Sequence, residues 1–582
     1  MNTAPPPAPL RPPQRRRRKA VVVLLALAVA LTPALLLGVA PWRQQLLLGL
    51  GLTRRQPPPR PLARCRHQGE RHFDVIVYGD EPAGVMTALE LQRQLRDRAG
   101  LRHPRIALLH GDALDAPIGG TIGRSGLAYL DRNQVPADLR SGHALFAPSS
   151  ALYRRFLRLT GVRVIAVDPR RAAQAFTKAL KAAAITVLPD AQLSGATLEG
   201  QRLCSLESAR YGSLGAAYFV DASLGADLAH RAGVPFISGL GPPGLTRDSI
   251  ALGWVFEVYG LPLEAVREAE AQLTDRILDP GDDEAQRWLA LWPEYGGRTS
   301  RHQLISDLLD PLGRPLLAYG ATVDSADQQS PVFAIAFHGQ SGIQPRSPQW
   351  SVRLDPANIA ILPGRLSFNA LIFHNDAVQN RRVLADQARP LPWMETSALA
   401  VTRFFQRLGA RRVVWMPELY VRSADEIAHP LQPLGAALMA RGGVPAAEAL
   451  GTFTYPLDFR GGLSRFVPPA RPTFNFGYRH TLPREVSNLA VLGPAAGYGG
   501  LGEGAGRIIE LNISVGQGLA TAIALADQRQ LTLAAVDPMA VAGLRPAGYD
   551  PYGRPSQRTL LRVLLDRLED LLLQPFHRSS PE

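Results

Sequence analysis

The sequence predicts an α/β protein preceded by one N-terminal transmembrane helix, and three observations carry that reading. Val75, Ile76 and Val77 form a β-branched run that ends in a glycine turn, Gly79 to Gly84, and continues as Val85, Ala88, Leu89 and Gln92 at helical spacing. A second strand, glycine-rich loop and helix follow from Asn488 to Asp527. Ala20 to Ala40 is an apolar, uncharged run broken only by Thr32 and Pro33.

Taken in order, residues 1–19 read as a disordered basic N-terminus, Pro-rich first and then clustered as Arg15 to Lys19. Residues 20–40 have the ~20-residue length of a membrane span. The basic cluster before them favours a cytoplasmic N-terminus, and so a non-cytoplasmic catalytic domain. A cleaved signal peptide is the rival reading; Gly38-Val39-Ala40 is small enough for a cleavage site, but Pro41 disfavours it. Residues 41–71 form a Pro- and Arg-rich linker.

The soluble part begins near His72. Arg105 to His110 reads as a second strand, and Ile118-Gly-Gly-Thr121 as an unobstructed loop. Val162 to Val167 is expected to be a strand, Arg170 to Ala184 a helix and Ile185 to Leu188 a strand. Gln192 to Tyr218 alternates with glycines as a small antiparallel meander, closing on Tyr218-Phe-Val-Asp-Ala-Ser223. Trp254 to Val258, Val332 to Ala336 and Leu366 to Phe373 are candidate strands, and Ser397 to Leu408 and Leu434 to Arg441 candidate helices. Ser514 to Asp527 reads as a helix capped by Ser514.

A strand turning through glycines into a helix points the helix's free N–H groups at the turn, which suits a pyrophosphate. Gly79 permits the tight turn, and Gly84 permits close helix–strand packing. The dinucleotide pattern is G-x-G-x-x-G, and this chain reads G-x-E-x-x-G, with Glu81 where the middle glycine belongs. His110 stands where an acid usually meets the ribose. An ordinary βα turn remains the alternative on these residues alone.

The net charge of +14 does not imply nucleic-acid binding. Residues 1–72 hold thirteen arginines and lysines against one acid, leaving about +2 for the remaining 510 residues. Two cysteines, Cys65 and Cys204, exclude a disulfide scaffold and a cysteine-rich metal site but do not fix the redox compartment. No metal-ligand spacing occurs.

Together these pieces resemble the FAD-dependent oxidoreductases of glutathione-reductase type, over roughly residues 72 to 530. Tyr78-Gly-Asp-Glu-Pro-Ala-Gly84 is similar to first turns of the family that lack the middle glycine. Ile118-Gly-Gly120 with Gly126 to Asp131 is similar to its second glycine element. Tyr218 to Ser223, Leu419-Tyr-Val-Arg422, Tyr455-Pro-Leu-Asp458, Tyr478 to Pro483 and Gly516-Gln-Gly518 match further landmarks. The resemblance implies a Rossmann-like FAD-binding domain (residues 72–235 and 466–530) interrupted by a mixed α+β substrate domain (residues 236–465). Residues 531–582 form a tail with an amphipathic, leucine-faced helix.

The implied cofactor is one FAD, held by Gly79, Glu81, Pro82, Ala83, Gly84, Gly119, Gly120, Val187, Asp221, Gly493, Ser514, Val515 and Gly516. Ser514 to Gly516 are expected at a helix start that stabilises the reduced flavin. Arg507 is the first candidate for orienting substrate, with Arg479 and His480 behind it; pairing with Glu503 or Glu510 is the structural alternative for Arg507. The expected function is a membrane-anchored oxidoreductase taking hydride or electrons from a small organic molecule, with substrate and electron acceptor left open. A non-catalytic scaffold at the membrane is the alternative, motivated by Glu81 and His110.

Overall fold

The computed structural model describes residues 61–545 except 67–68, 135–145, 148, 242–246, 291–307, 310–311, 316–322, 328–330, 346–350, 356–357, 423–424 and 460–469. The expected span Ala20–Ala40 and the C-terminal leucine face lie outside the described residues.

Strand β1 (Arg71–Tyr78) buries Val75, Ile76 and Val77 completely, as a strand covered on both faces must. Strand β2 (Ile106–Leu109) lies parallel beside it and β3 (Thr186–Leu188) parallel beside β2. The expected meander is present as β4 (Leu193–Glu199), β5 (Arg202–Ser208) and β6 (Gly212–Asp221). β6 runs parallel to β1, with Tyr78 opposite Asp221, and the strand Leu489–Val491 pairs in parallel with its last residues. The C-terminal ends of β1, β2 and β6 therefore open on one edge, where sheets of this kind bind ligands.

Helix α1 (Pro82–Arg98) leaves the glycine turn with proline at its first position, where no N–H is needed. It packs against α2 (Ile509–Arg529). α2 is long and apolar enough to cross a membrane, but it is buried almost throughout and serves as a core helix. The contact needs Gly516: a Cβ there would lie 2.1 Å from Thr87 Oγ1.

A second, antiparallel sheet is centred on the strands Leu252–Tyr259 and Arg365–His374 and has its own core of Phe256, Phe337, Phe368, Phe404 and Phe405. Residues 434–459, within the stretch expected to be the substrate domain, contribute Leu434, Met439, Phe453 and Tyr455 to the first core.

Three sequence expectations need correction. Val332–Ser341 is a helix, not a strand: a short apolar run buried on all sides has no periodicity to separate the two, and Gly342 ends it in the left-handed region. Val162–Val167 forms no strand. The N–H groups of Val164 and Ile165 donate to the Asp324 carboxylate instead (2.8 and 3.1 Å), and Ala166 makes one isolated bridge to Tyr129. Helix α2 begins at Ile509, so Ser514 is no cap. Its hydroxyl donates back to the Glu510 carbonyl (2.7 Å), as serine does inside a helix. The two cysteines, which the sequence left open, are joined as Cys65–Cys204 with Cα atoms 5.8 Å apart.

Candidate functional site

The turn after β1 sets the site. Gly79 has φ +101°, and a Cβ on it would lie 2.2 Å from the Ser223 nitrogen, so no larger residue fits. Gly84 is equally constrained, its Cβ position being 2.5 Å from the Gly79 carbonyl oxygen and 2.8 Å from Ala222 Cβ. Of the two acids between them, Asp80 is buried and Glu81 half-buried. Asp80 accepts from Gly119 N–H (2.9 Å) and pairs with both terminal nitrogens of Arg124 (2.7 and 3.0 Å). Burial opposes its ionisation, but Arg124 prevails and holds Asp80 at about 2.

Glu81 has no such cation of its own. Its two oxygens accept from the Thr121 N–H (3.1 and 3.0 Å) and pack so closely on Gly120 that a Cβ there would lie 2.0 Å from Oε1. Burial pushes Glu81 up to about 7. Arg124 is shared further, with Asp112 (2.8 Å) and Glu418 (2.9 Å). Burial raises Glu418 to about 8 against the pull of Arg124, with Asp112, Glu81 and Asp80 adding to the rise.

Two cavities meet at Glu81. The larger, about 650 Å³, opens at the strand ends and is lined by Tyr78, Gly79, His110, Arg124, Gln192 and Asp227. His110 is buried, and its Nδ1 has no hydrogen-bond partner, lying 3.6 Å from Asp112. The smaller, about 30 Å³, is lined by Thr121, Tyr420, Arg422, Gly493, Arg507 and Asn512, with Pro82 and Ala83 beside Glu81. Gly493 has φ +128° and open space at its Cβ position. Arg422 donates to the Ala251 carbonyl (2.8 Å) and Asn369 (2.9 Å) and stacks on Tyr420 (4.1 Å).

The structure brings together Gly79, Glu81, Pro82, Ala83 and Gly84 with Gly119, Gly120, Gly493 and Arg507. Arg507 is paired, but with Asp458 (2.8 Å) and Asp131 (3.7 Å) rather than Glu503 or Glu510; the Glu510 carboxylate instead accepts from Asn133 N–H (2.8 Å). Other expected residues lie elsewhere. Ser514, Val515 and Gly516 are helix interior, so their N–H groups are committed to α2 and offer no free donors. Val187 lines neither cavity; Gln192 and Leu193 occupy that side. Asp221 is turned into its own loop, accepting from Ser223 and Ala229 N–H (3.1 and 2.8 Å). Arg479 and His480 line neither cavity. His480 packs its ring 4.6 Å from Tyr498, and burial lowers it to about 3. Sequence reasoning missed Arg124 and Glu418; two adjacent acids in a glycine turn were the signal that a buried cation must answer them.

The model for the family described as FAD dependent oxidoreductase matches residues 74–545. The chain belongs to this family. Its cofactor is FAD. No curated protein matches the chain. Among solved structures it is similar to pqsL, a probable FAD-dependent monooxygenase from Pseudomonas aeruginosa, at 14% identity and TM-score 0.32 over 85% of this chain and 100% of that one. It is similar to CtdE in complex with FAD at 10% identity and TM-score 0.33, over 88% and 96%. Similarity to THI4 of Thermovibrio ammonificans, at 18% identity and TM-score 0.21, covers 29% of this chain and 66% of that one, just under two thirds of its length. At these TM-scores the likenesses bear on neither substrate nor mechanism.

The residues fit the cofactor on the side of the larger cavity. Its volume suits the nucleotide half of FAD, the α1 start carries no side-chain cap, and His110 on its lining has a buried Nδ1 without a hydrogen-bond partner.

Proposed function

We propose that this protein is a membrane-anchored oxidoreductase that takes hydride or electrons from a small organic substrate, with its catalytic domain outside the cytoplasm. Bound FAD supplies the redox chemistry. The N–H groups of Ala83 and Gly84 would hold its pyrophosphate, and His110 and Gln192 its nucleotide end. Gly493, Pro494 and Asn512 would border the ring. Arg507, buried and facing the smaller cavity, would orient an anionic or carbonyl-bearing substrate, with Asp458 fixing the guanidinium.

The observation that supports this reading best is the family match over residues 74–545 combined with two buried arginines, Arg422 and Arg507, on the cavity beside the glycine turn. The disulfide supports an oxidising compartment, since such bonds are rare in the cytoplasm. The test is to load the purified protein with FAD and screen organic acids, alcohols and amines for bleaching of the flavin spectrum. Arg507→Ala should lower the bleaching rate at least tenfold with the oxidised spectrum unchanged; an unaltered rate removes Arg507 from the site.

One observation favours the scaffold alternative: Glu81 occupies a backbone donor beside the cofactor's expected path. A folded protein that stays colourless with excess FAD would support it.

A further inference from the structure

Two residues, Glu81 and Leu224, line both the larger cavity at the strand ends and the smaller one beside Arg507, and Glu81 is the charged one of the two. A dinucleotide lying across them must pass it with its pyrophosphate. The carboxylate already satisfies the Thr121 N–H through both oxygens (3.1 and 3.0 Å) and covers Gly120. A carboxylate and a phosphate are competing acceptors of one donor, and their like charges repel at contact distance.

We infer that the Glu81 side chain is a gate on cofactor loading: its carboxylate competes with the FAD pyrophosphate for the Thr121 N–H, and binding of FAD is accompanied by protonation of Glu81. This rests on the seat of the pyrophosphate at the α1 start proposed above. The surroundings of Glu81 leave the ionised form without a dedicated cation. From its own turn it faces Asp80; from the loop after Gly123, Arg124; from the loop after β2, His110 and Asp112; from the segment before Leu419, Glu418. Arg124 is committed to Asp80, Asp112 and Glu418. On the smaller cavity, Arg507 is paired with Asp458, and Arg422 is bonded to Asn369 and the Ala251 carbonyl. Burial accordingly places the Glu81 titration near 7, where a modest pH change alters its charge. Bringing in two phosphate charges raises the cost of the ionised carboxylate further, so the proton is taken up with the cofactor.

The sign follows. Above the Glu81 titration, each FAD bound must bring a proton, and affinity falls by at most ~tenfold per pH unit. Apoprotein titrated with FAD, followed by flavin fluorescence, should show Kd rising by up to ~30-fold between pH 6 and 8.5. Glu81→Gln should bind more tightly at pH 8.5 and stay within about threefold across the range. Calorimetry of the wild type at pH 8 in two buffers of different ionisation enthalpy should show net proton uptake, so the test survives a variant that does not fold. A wild-type Kd that is flat over this range, zero proton uptake, or the same slope in Glu81→Gln would overturn the gate; the last would assign the proton to a group other than Glu81. Absence of FAD binding at every pH in both proteins would instead overturn the FAD reading itself, and the gate with it.

Discussion

Arg124 answers three carboxylates at once, and it comes from a loop 44 residues from Asp80. Removing one partner of a buried ion pair leaves the others uncompensated, which costs roughly 3–5 kcal/mol. Arg124→Met should therefore lower the denaturation midpoint by that amount in guanidinium titration, and a loss below about 1 kcal/mol would mean that water already screens the cluster. The same residues set the pH dependence. Glu81 and Glu418 are raised to about 7 and about 8 from an ordinary 4.5, so the stability they contribute is full below 4.5 and is lost as pH rises through those values. Asp80 is depressed to about 2 from 3.8; its contribution is present above 3.8 and is lost as pH falls through 2. Thermal stability should peak near roughly pH 4 to 4.5 and decline toward pH 8. Glu418→Gln should flatten the alkaline decline, and an unchanged slope in that variant would take Glu418 out of the linkage.

At the level of elements, the strands of the first sheet and the first helix were legible because their signals are local. Val75 to Val77 are β-branched and bounded by Gly79, and Pro82 marks the first position of α1. The start of α2 was not legible. Ile509 to Leu511 carries no capping residue before it, whereas Ser514 mimics one, and only the ladder of backbone hydrogen bonds reveals that its hydroxyl bonds inward. The ion cluster was out of reach for a different reason: Asp80, Arg124 and Glu418 meet only after the second sheet is folded against the first, and sequence spacing says nothing about that. Gly516, read from the sequence as a donor to the flavin, is a packing residue. A side chain on it would strike Thr87 of α1, and overpacking of this kind costs about 1–3 kcal/mol. Gly516→Ala should destabilise by that amount, and Thr87→Gly should restore much of it in the double variant by removing the hydroxyl that clashes. Additive losses in the two variants would show that the helices do not meet at this point.

For the molecule as a whole, the proposed anchor raises the question of which side of a membrane the domain would face. The chain places a basic cluster before an apolar run and then, at Cys65, fastens the start of the described structure to β5 through Cys204, 139 positions on. Pro61 bridges to Leu531 and Leu62 donates to the Gln530 carbonyl (2.8 Å), so this segment is seated at both ends of its contact with the domain. A crosslink across so long a loop restricts the unfolded chain strongly, and its removal costs roughly 2–5 kcal/mol. Cys65→Ser should lower stability by about that much, and Leu62→Asp less, since Leu62 buries one side chain and leaves the crosslink intact. Such bonds are rare in the cytoplasm, so the disulfide and the positive cluster both agree with the topology proposed above. Protein taken from cells, quenched in acid and alkylated under denaturing conditions, should expose no free thiol until reduced. Carbonate washing should leave the full chain with the membrane, and deletion of residues 1–56 should release it. Two free thiols in the membrane-bound protein would put the domain on the cytoplasmic side and reverse the orientation proposed here. Recovery of the full-length chain in the carbonate supernatant would remove the anchor altogether.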